Sequence, residues 1–424
     1  MNRSSKRASV LCGAFILALT SGVFPPASGI AQEAPDSCIS CHEMLSGRLG
    51  SPVEAFAADV HAEAGFGCAA CHGGDPTIQG PGAMDAAKGY IGRPSPEQVP
   101  DVCGRCHSNA GFMRQYNPAL RVDQMAEYVT SVHGQRLLGA ADTAVATCAS
   151  CHGAHGIRPA SDPRSSVHAL NVAETCGACH ADATHMEPYG IPTDQLEEYQ
   201  RSIHWRTMSE GGDTSAPTCN DCHGNHGAAP PGISWVGNVC GQCHVVMADY
   251  FDESRHSETF TMLGVPGCAA CHQNHDVEPA HDGMLGIGDD AVCARCHRES
   301  DAGGAAAEEM RALVQGLWME LDTARTVLLA AENAGVEVSE ALVSLNDGQS
   351  ALVKARAAIH AFDVETVRKE VEPGSEISAQ ALTRGHAALR DLQVRRMGLA
   401  VSVIIIGALI VGLVLKIRAI ERPS

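Results

Sequence analysis

Apolar residues are distributed along this chain in three unlike ways, and each predicts a different kind of element. Near the N-terminus Lys6 and Arg7 precede an apolar run from Ala8 to Val23 and small residues from Gly29 to Ala31. A basic start, an apolar stretch and a small-residue cleavage region make a secretory signal, so 1–31 is expected to be removed on export, and Cys12 with it. Between Cys38 and His297 no apolar period is sustained, and Gly and Pro recur, which predicts short helices within extensive irregular loops. From about Ala305 the character changes. Met310, Leu313, Val314, Leu317, Trp318 and Leu321 recur at helical spacing, as do Leu342, Leu345, Leu352, Ile359 and Phe362. Gly335 and the stretch Glu372, Pro373, Gly374 punctuate two turns, and a third helix is expected to begin at Ser375. Met397 to Leu415 then runs nineteen residues without a charge, enough to cross a hydrocarbon core as a helix.

The predicted fold is therefore mostly α with extensive irregular loops. A signal over 1–31 is followed by a loop-rich domain over 32–300, a helical stalk over 301–396, one transmembrane helix over 397–415 and a short tail over 416–424.

The chemistry lies in the loop-rich domain. C-x-x-C-H occurs nine times there and takes up eighteen of the nineteen cysteines. The motif cysteines are Cys38 and Cys41, Cys68 and Cys71, Cys103 and Cys106, Cys148 and Cys151, Cys176 and Cys179, Cys219 and Cys222, Cys240 and Cys243, Cys268 and Cys271, and Cys293 and Cys296. Their histidines are His42, His72, His107, His152, His180, His223, His244, His272 and His297. The pattern is that of c-type haem attachment: two thiols three residues apart each form a thioether to one porphyrin, and the adjacent His becomes the proximal iron ligand. Disulfides would not demand a His after every pair, and neither would zinc ribbons. Nine covalently attached haems c are expected.

Composition agrees with that reading. Three Trp, six Tyr and eight Phe in 424 residues are few for a protein core, and porphyrin plates would supply the missing apolar area. A formal charge of −19 disfavours nucleic acid and suits basic redox partners.

The motif region is an internal repeat. Tyr128 to His180, Tyr199 to His244 and Tyr250 to His297 each carry a Tyr, a Ser-containing segment ending in His, a CHxxH element and a second motif; a divergent copy runs from His61 to His107. Four two-haem modules thus follow one solitary site at Cys38.

Twelve histidines lie outside the motifs. His155, His226 and His275 follow a motif His by three residues, where the rigid proximal bond keeps them from the same iron, so each is expected to serve a neighbouring haem. His133, His204 and His256 recur in register before their modules' motifs. These six are the distal ligands best supported by the pattern; His61 and His168 are good candidates, and His185 and His281 are weaker ones. His360 and His386 read as plain helix residues, although His386 shares a face with Leu382 and Leu389. The first module has Asp75 where its siblings have His155, His226 and His275, which deprives some haem of the repeat's usual ligand, so that either His185, His281 or a stalk histidine substitutes or one iron is open.

From Cys38 to His297 the doubled motif with its CHGxH element resembles the low-potential, bis-histidinyl multihaem cytochromes c of the class III or doubled-motif type. The resemblance implies haem c at the motifs and His as second ligand. Membrane-fixed nine-haem domains of this kind look like the c-type subunits of inner-membrane cytochrome b and c complexes that exchange electrons with quinone. The C-terminal anchor departs from the quinol dehydrogenases of nitrate and nitrite respiration, which are anchored at the N-terminus.

Two functional classes follow. In the first, which is not enzymatic, the haem domain lies in the periplasm and carries electrons between a quinol-linked, cytochrome b-type membrane subunit and a periplasmic carrier, anchored in the bilayer by its C-terminal helix. In the second, one open haem acts as an oxidoreductase on nitrite, hydroxylamine or a sulfur oxyanion. Lys88 is the only lysine from Cys38 to His297, so lysine ligation has almost no candidate.

Overall fold

The computed structural model describes residues 36–230 and 236–421, so the expected signal over 1–31 and Cys12 lie outside the described residues. Every regular element among the described residues is helical. The motif region consists of short helices, and its sequence sets where each begins and ends. Thr147 starts the helix Cys148–His152 through a capping box in which its backbone N–H donates to Ser150 Oγ at 3.0 Å. Thr218 does the same for Cys219–His223, donating to Asp221 Oδ2 at 2.7 Å. The residue after the motif His then turns to positive φ in Gly73 (68°), Gly153 (79°), Gly224 (82°) and Gln273 (64°), which ends the helix directly behind that histidine.

A second repeated device begins the helices that carry His133, His204 and His256. Ser131, Ser202 and Ser254 are their N-caps, accepting from Gly134, Trp205 and Ser257 N–H. Asp59 takes that place in the divergent first copy, accepting from His61 N–H at 2.8 Å.

The residue after Asp59, Ser131 and Ser202 also joins one module to the next. Val60 N–H donates to Ile157 O at 2.9 Å, Val132 N–H to Ala228 O at 3.1 Å and Ile203 N–H to Val277 O at 2.8 Å. The acceptor is in every case two residues beyond the CHxxH histidine of the following module. Asp59 reinforces the first joint by accepting from Ile157 N–H at 2.7 Å, and it is only 1 % exposed. Asp59→Ala is expected to destabilise the domain by about 3 kcal/mol, since it removes a charged cap and strands a buried donor. Chemical denaturation of the variant checks this.

The contiguous apolar core lies in the stalk, formed by residues such as Val314, Leu321, Leu328, Leu345, Leu352 and Val367. Three long helices build it: Ala302–Asn333, Ser339–Ala358 and Val364–Ile420. Trp318 remains 49 % exposed, beside the buried Leu317. The first turn falls at Gly335, as the pattern predicts, but the second does not fall at Glu372 to Gly374. The chain turns at Ile359–Ala361 and Phe362 instead, and the third helix runs unbroken through Pro373. Proline removes one helical hydrogen bond, a cost that packing against two other helices offsets here. Gly374 is there for close approach: a Cβ would stand 2.9 Å from Leu317 Cδ1 and 3.0 Å from Ala351 Cβ. Gly374→Leu is therefore expected to cost about 1–3 kcal/mol by overpacking. A lower thermal transition of the stalk, followed by helical circular dichroism, is the readout.

The third helix continues into the apolar span, whose best window has a mean hydropathy of 2.9 and is not covered by protein. It is long and apolar enough to cross a membrane. The stalk is held to the motif region by Arg356, whose guanidinium meets both oxygens of Asp282 at 2.9 and 2.8 Å, and by Ile287 N–H, which donates to Glu308 Oε1 at 2.7 Å.

Candidate metal centres

The nine motifs are numbered here as sites 1 to 9 in chain order. Their helices present the motif His on one side, and at eight of them a second imidazole faces it. The pairs are His72 with His155, His107 with His61, His152 with His226, His180 with His133, His223 with His275, His244 with His204, His272 with His360 and His297 with His256. All eight ring-centroid separations fall between 6.0 and 6.4 Å.

That narrow range has a direct metric meaning. Two metal–nitrogen bonds of about 2 Å each, with each ring centre about 1 Å beyond its nitrogen, place the centroids about 6 Å apart. Parallel rings in direct contact would lie closer, and all eight separations are compatible with one metal ion between the two imidazoles. Among the described residues no group of three or more His, Cys, Asp or Glu side chains converges to hold a metal. A bare zinc ion needs about four protein ligands, whereas a porphyrin supplies four of its own and asks only for an axial pair. The donor set therefore fits haem.

Protonation state agrees. His42 Nδ1 lies 3.0 Å from Leu49 O, His72 Nδ1 2.7 Å from Gly92 O and His360 Nδ1 3.0 Å from Ala357 O. A carbonyl can only accept, so Nδ1 carries the proton and Nε2 keeps the lone pair a metal requires. Burial pushes His107, His152, His180 and His272 below the ordinary histidine value, and His133, His226, His256 and His360 likewise, which favours the neutral imidazole that binds a metal. Glu127 and Glu198 stand 3.6 and 3.5 Å from the Nδ1 atoms of His226 and His275.

The pairing obeys a rule. The His that begins a module faces the second motif of that same module. The CHxxH histidine faces the first motif of the module before it: His155 serves site 2, His226 site 4 and His275 site 6. Site 8 has no module after it, and a stalk residue, His360, takes the slot. That histidine reads from sequence as a plain helix residue, yet it lies in the turn Ile359–Ala361 opposite His272. Phe362, at φ 52°, lies against His256 of site 9 at 3.9 Å between ring centroids. The stalk turn thus completes the repeat as a capping unit does in a solenoid.

The other candidates stand elsewhere. His168 Nδ1 accepts from Leu170 N–H at 3.3 Å, capping the helix of site 5. His185 lies against Tyr189, near His180. His281 lines a cavity of about 600 Å³ together with Cys271 and His272 of site 8, a size suited to a cofactor. His386 is exposed on the third stalk helix.

Consecutive sites are also neighbours in space. The thiols of Cys103 and Cys148, Cys176 and Cys219, and Cys240 and Cys268 lie within hydrogen-bonding reach across module boundaries. Within modules, Cys71 senses the charge of Cys106, Cys151 that of Cys179, Cys222 that of Cys243 and Cys271 that of Cys293. Cys38 of site 1 senses Cys68 of site 2, and burial together with Asp36 pushes the Cys38 thiol up to about 11. Nine sites therefore form one file in chain order, with no site skipped.

No family model matches the chain, and no curated protein or solved structure is found similar to it.

Proposed function

We propose that this chain is a membrane-anchored nine-haem cytochrome c that carries electrons along a single file of sites. The observation that carries the reading is the set of eight opposed histidine pairs at 6.0 to 6.4 Å, each built on a C-x-x-C-H motif. When bound, haem c supplies a one-electron iron couple at each site. The protein's part is to hold two neutral imidazoles per site, to fix their orientation through Nδ1 and to keep successive attachment cysteines adjacent. Two strong-field nitrogen ligands leave those eight positions without room for substrate, which suits transfer and not turnover.

The turn of the stalk meets the motif region at sites 8 and 9, and this supports reading them as the anchored end of the file. A quinol-linked, cytochrome b-type membrane subunit is the partner proposed there, and a soluble redox carrier at the other end; the motif region is proposed to lie in the periplasm. The acidic surface favours a basic carrier.

Pyridine haemochrome assay of the detergent-solubilised full chain tests this, together with low-temperature EPR of the oxidised form. Nine haems per chain with predominantly low-spin iron are expected. Recovery of free thiols, or of zinc in place of iron, overturns the proposal.

A further inference from the structure

Resting on that reading, we infer that site 1 takes its sixth iron ligand from solution, and that it is the one position in the file able to bind a small exogenous molecule of the size of carbon monoxide, nitric oxide or nitrite. The pairing rule leads there. The ligand for each module's first motif comes from the CHxxH element of the module that follows, three residues past the motif His. Site 1 precedes the first module, so the rule assigns its ligand to position 75, which is an aspartate.

Position 75 is structurally equivalent to 155, 226 and 275. Gly73, Gly153, Gly224 and Gln273 share one backbone conformation behind their motif helices, with φ from 64° to 82°. The following loop reaches site 1 by a contact of its own: Ser37 N–H donates to Pro76 O at 2.9 Å, joining the residue beside Asp75 to the first turn of the helix that carries Cys38, Cys41 and His42, whereas the siblings bond two residues past their histidine and to module-opening helices. Asp75 is nonetheless committed elsewhere. Its Oδ1 accepts from Thr77 Oγ1 at 2.6 Å and its Oδ2 from Lys88 Nζ at 3.0 Å, and these partners lower its carboxyl to about 2. Lys88, the only lysine from Cys38 to His297, is engaged in the same pair.

Other histidines are accounted for. No histidine precedes His42 in the chain. Among the described residues, eight of the twelve extra histidines face other motif histidines, and His168, His185, His281 and His386 are placed at site 5, near His180, at site 8 and on the stalk. His42 itself is oriented as a proximal ligand by Leu49 O, and residues 43–49 around it are exposed. Site 1 is thus both reachable from solvent and at the end of the file remote from the anchor.

The test uses the full chain in detergent, with carbon monoxide as probe. On dithionite reduction, one carbon monoxide per nine haems is expected, and the oxidised form should show one high-spin iron. Asp75→His should abolish both signals at unchanged haem content, because it restores the repeat's own ligand. Nine low-spin irons with no carbon monoxide bound overturns the inference and leaves the proposed function standing. So does a site that becomes high-spin only in Met44→Ala, which would make Met44, 77 % exposed and two residues from His42, the sixth ligand. Absence of covalent haem overturns the proposed function itself, so the two failures are distinct.

Discussion

Replacement of His360 by alanine is expected to turn one low-spin haem into a high-spin one without loss of haem from the chain. Attachment depends on Cys268, Cys271 and His272, none of which is altered, whereas the sixth position at site 8 depends on a residue eighty-eight positions away in the stalk. Loss of an axial imidazole raises the reduction potential of its iron and opens it to water. The functional effect should be larger than at most other sites. A single file has no route around a member whose potential has moved, and this member is next to the last, on the side of the anchor. Reduction of site 1 from the membrane side should slow by at least about tenfold, the equivalent of about 1.4 kcal/mol in the barrier. Stopped-flow reduction with EPR counting of high-spin iron tests both parts, and His360→Met should restore low-spin iron without restoring the potential. An unchanged spectrum in His360→Ala would remove the stalk from the ligand set.

Two spectroscopic classes of low-spin haem, alternating over sites 2 to 6, are the second expectation. At sites 2, 4, 6 and 8 the opposed rings are nearly parallel, with interplanar angles of 13°, 7°, 14° and 28°. At sites 3, 5 and 9 they are turned to 88°, 59° and 65°, while site 7, at 33°, stands beside site 8 between the two classes. Parallel imidazoles direct their π-orbitals at the same iron d-orbital and split the d-levels, which gives a rhombic EPR signal; crossed imidazoles leave the levels nearly degenerate, which gives a near-axial signal with a large g-maximum. The alternation follows from the two origins of the ligand. A CHxxH histidine arrives on a loop from the next module, and a module-opening histidine arrives on a capped helix from the same one. His226→Ala should therefore diminish the rhombic class by altering site 4, although residue 226 lies three residues from the motif of site 6. His133→Ala should diminish the large-g-maximum class. Loss at site 6 in His226→Ala would refute the pairing rule.

How far these features can be read from sequence depends on whether they repeat. The motifs recur nine times, so the attachment residues stand out at once. The in-register recurrence of His133, His204 and His256, and of His155, His226 and His275, marks them as a set, and the short reach of a residue three positions from a bound His excludes its own iron. The apolar span is legible because nineteen uncharged residues have few other uses. His360 has no copy to align with, and its neighbours Ile359 and Phe362 follow the helical apolar period, so the local pattern points to a helix face and conceals the turn. Pro373 followed by Gly374 reads as a break because the two residues are weighed by their own backbone preferences. Their tolerance depends on Leu317 and Ala351, which approach from two other helices. Only the tertiary arrangement could place either feature.

The joint between modules also sets an order of assembly. Val60 waits for Ile157, Val132 for Ala228 and Ile203 for Val277, so a chain that folds from its N-terminus cannot finish one module until the next has emerged. Each newly made unit closes the coordination of its predecessor, and construction lags one module behind synthesis. The last closure falls to residue 360, just before the helix that leads into the apolar span. On the proposed reading, a product truncated between modules would lack the histidine that faces the first motif of its last module, an opening at the chain's C-terminal end in addition to the one inferred at site 1.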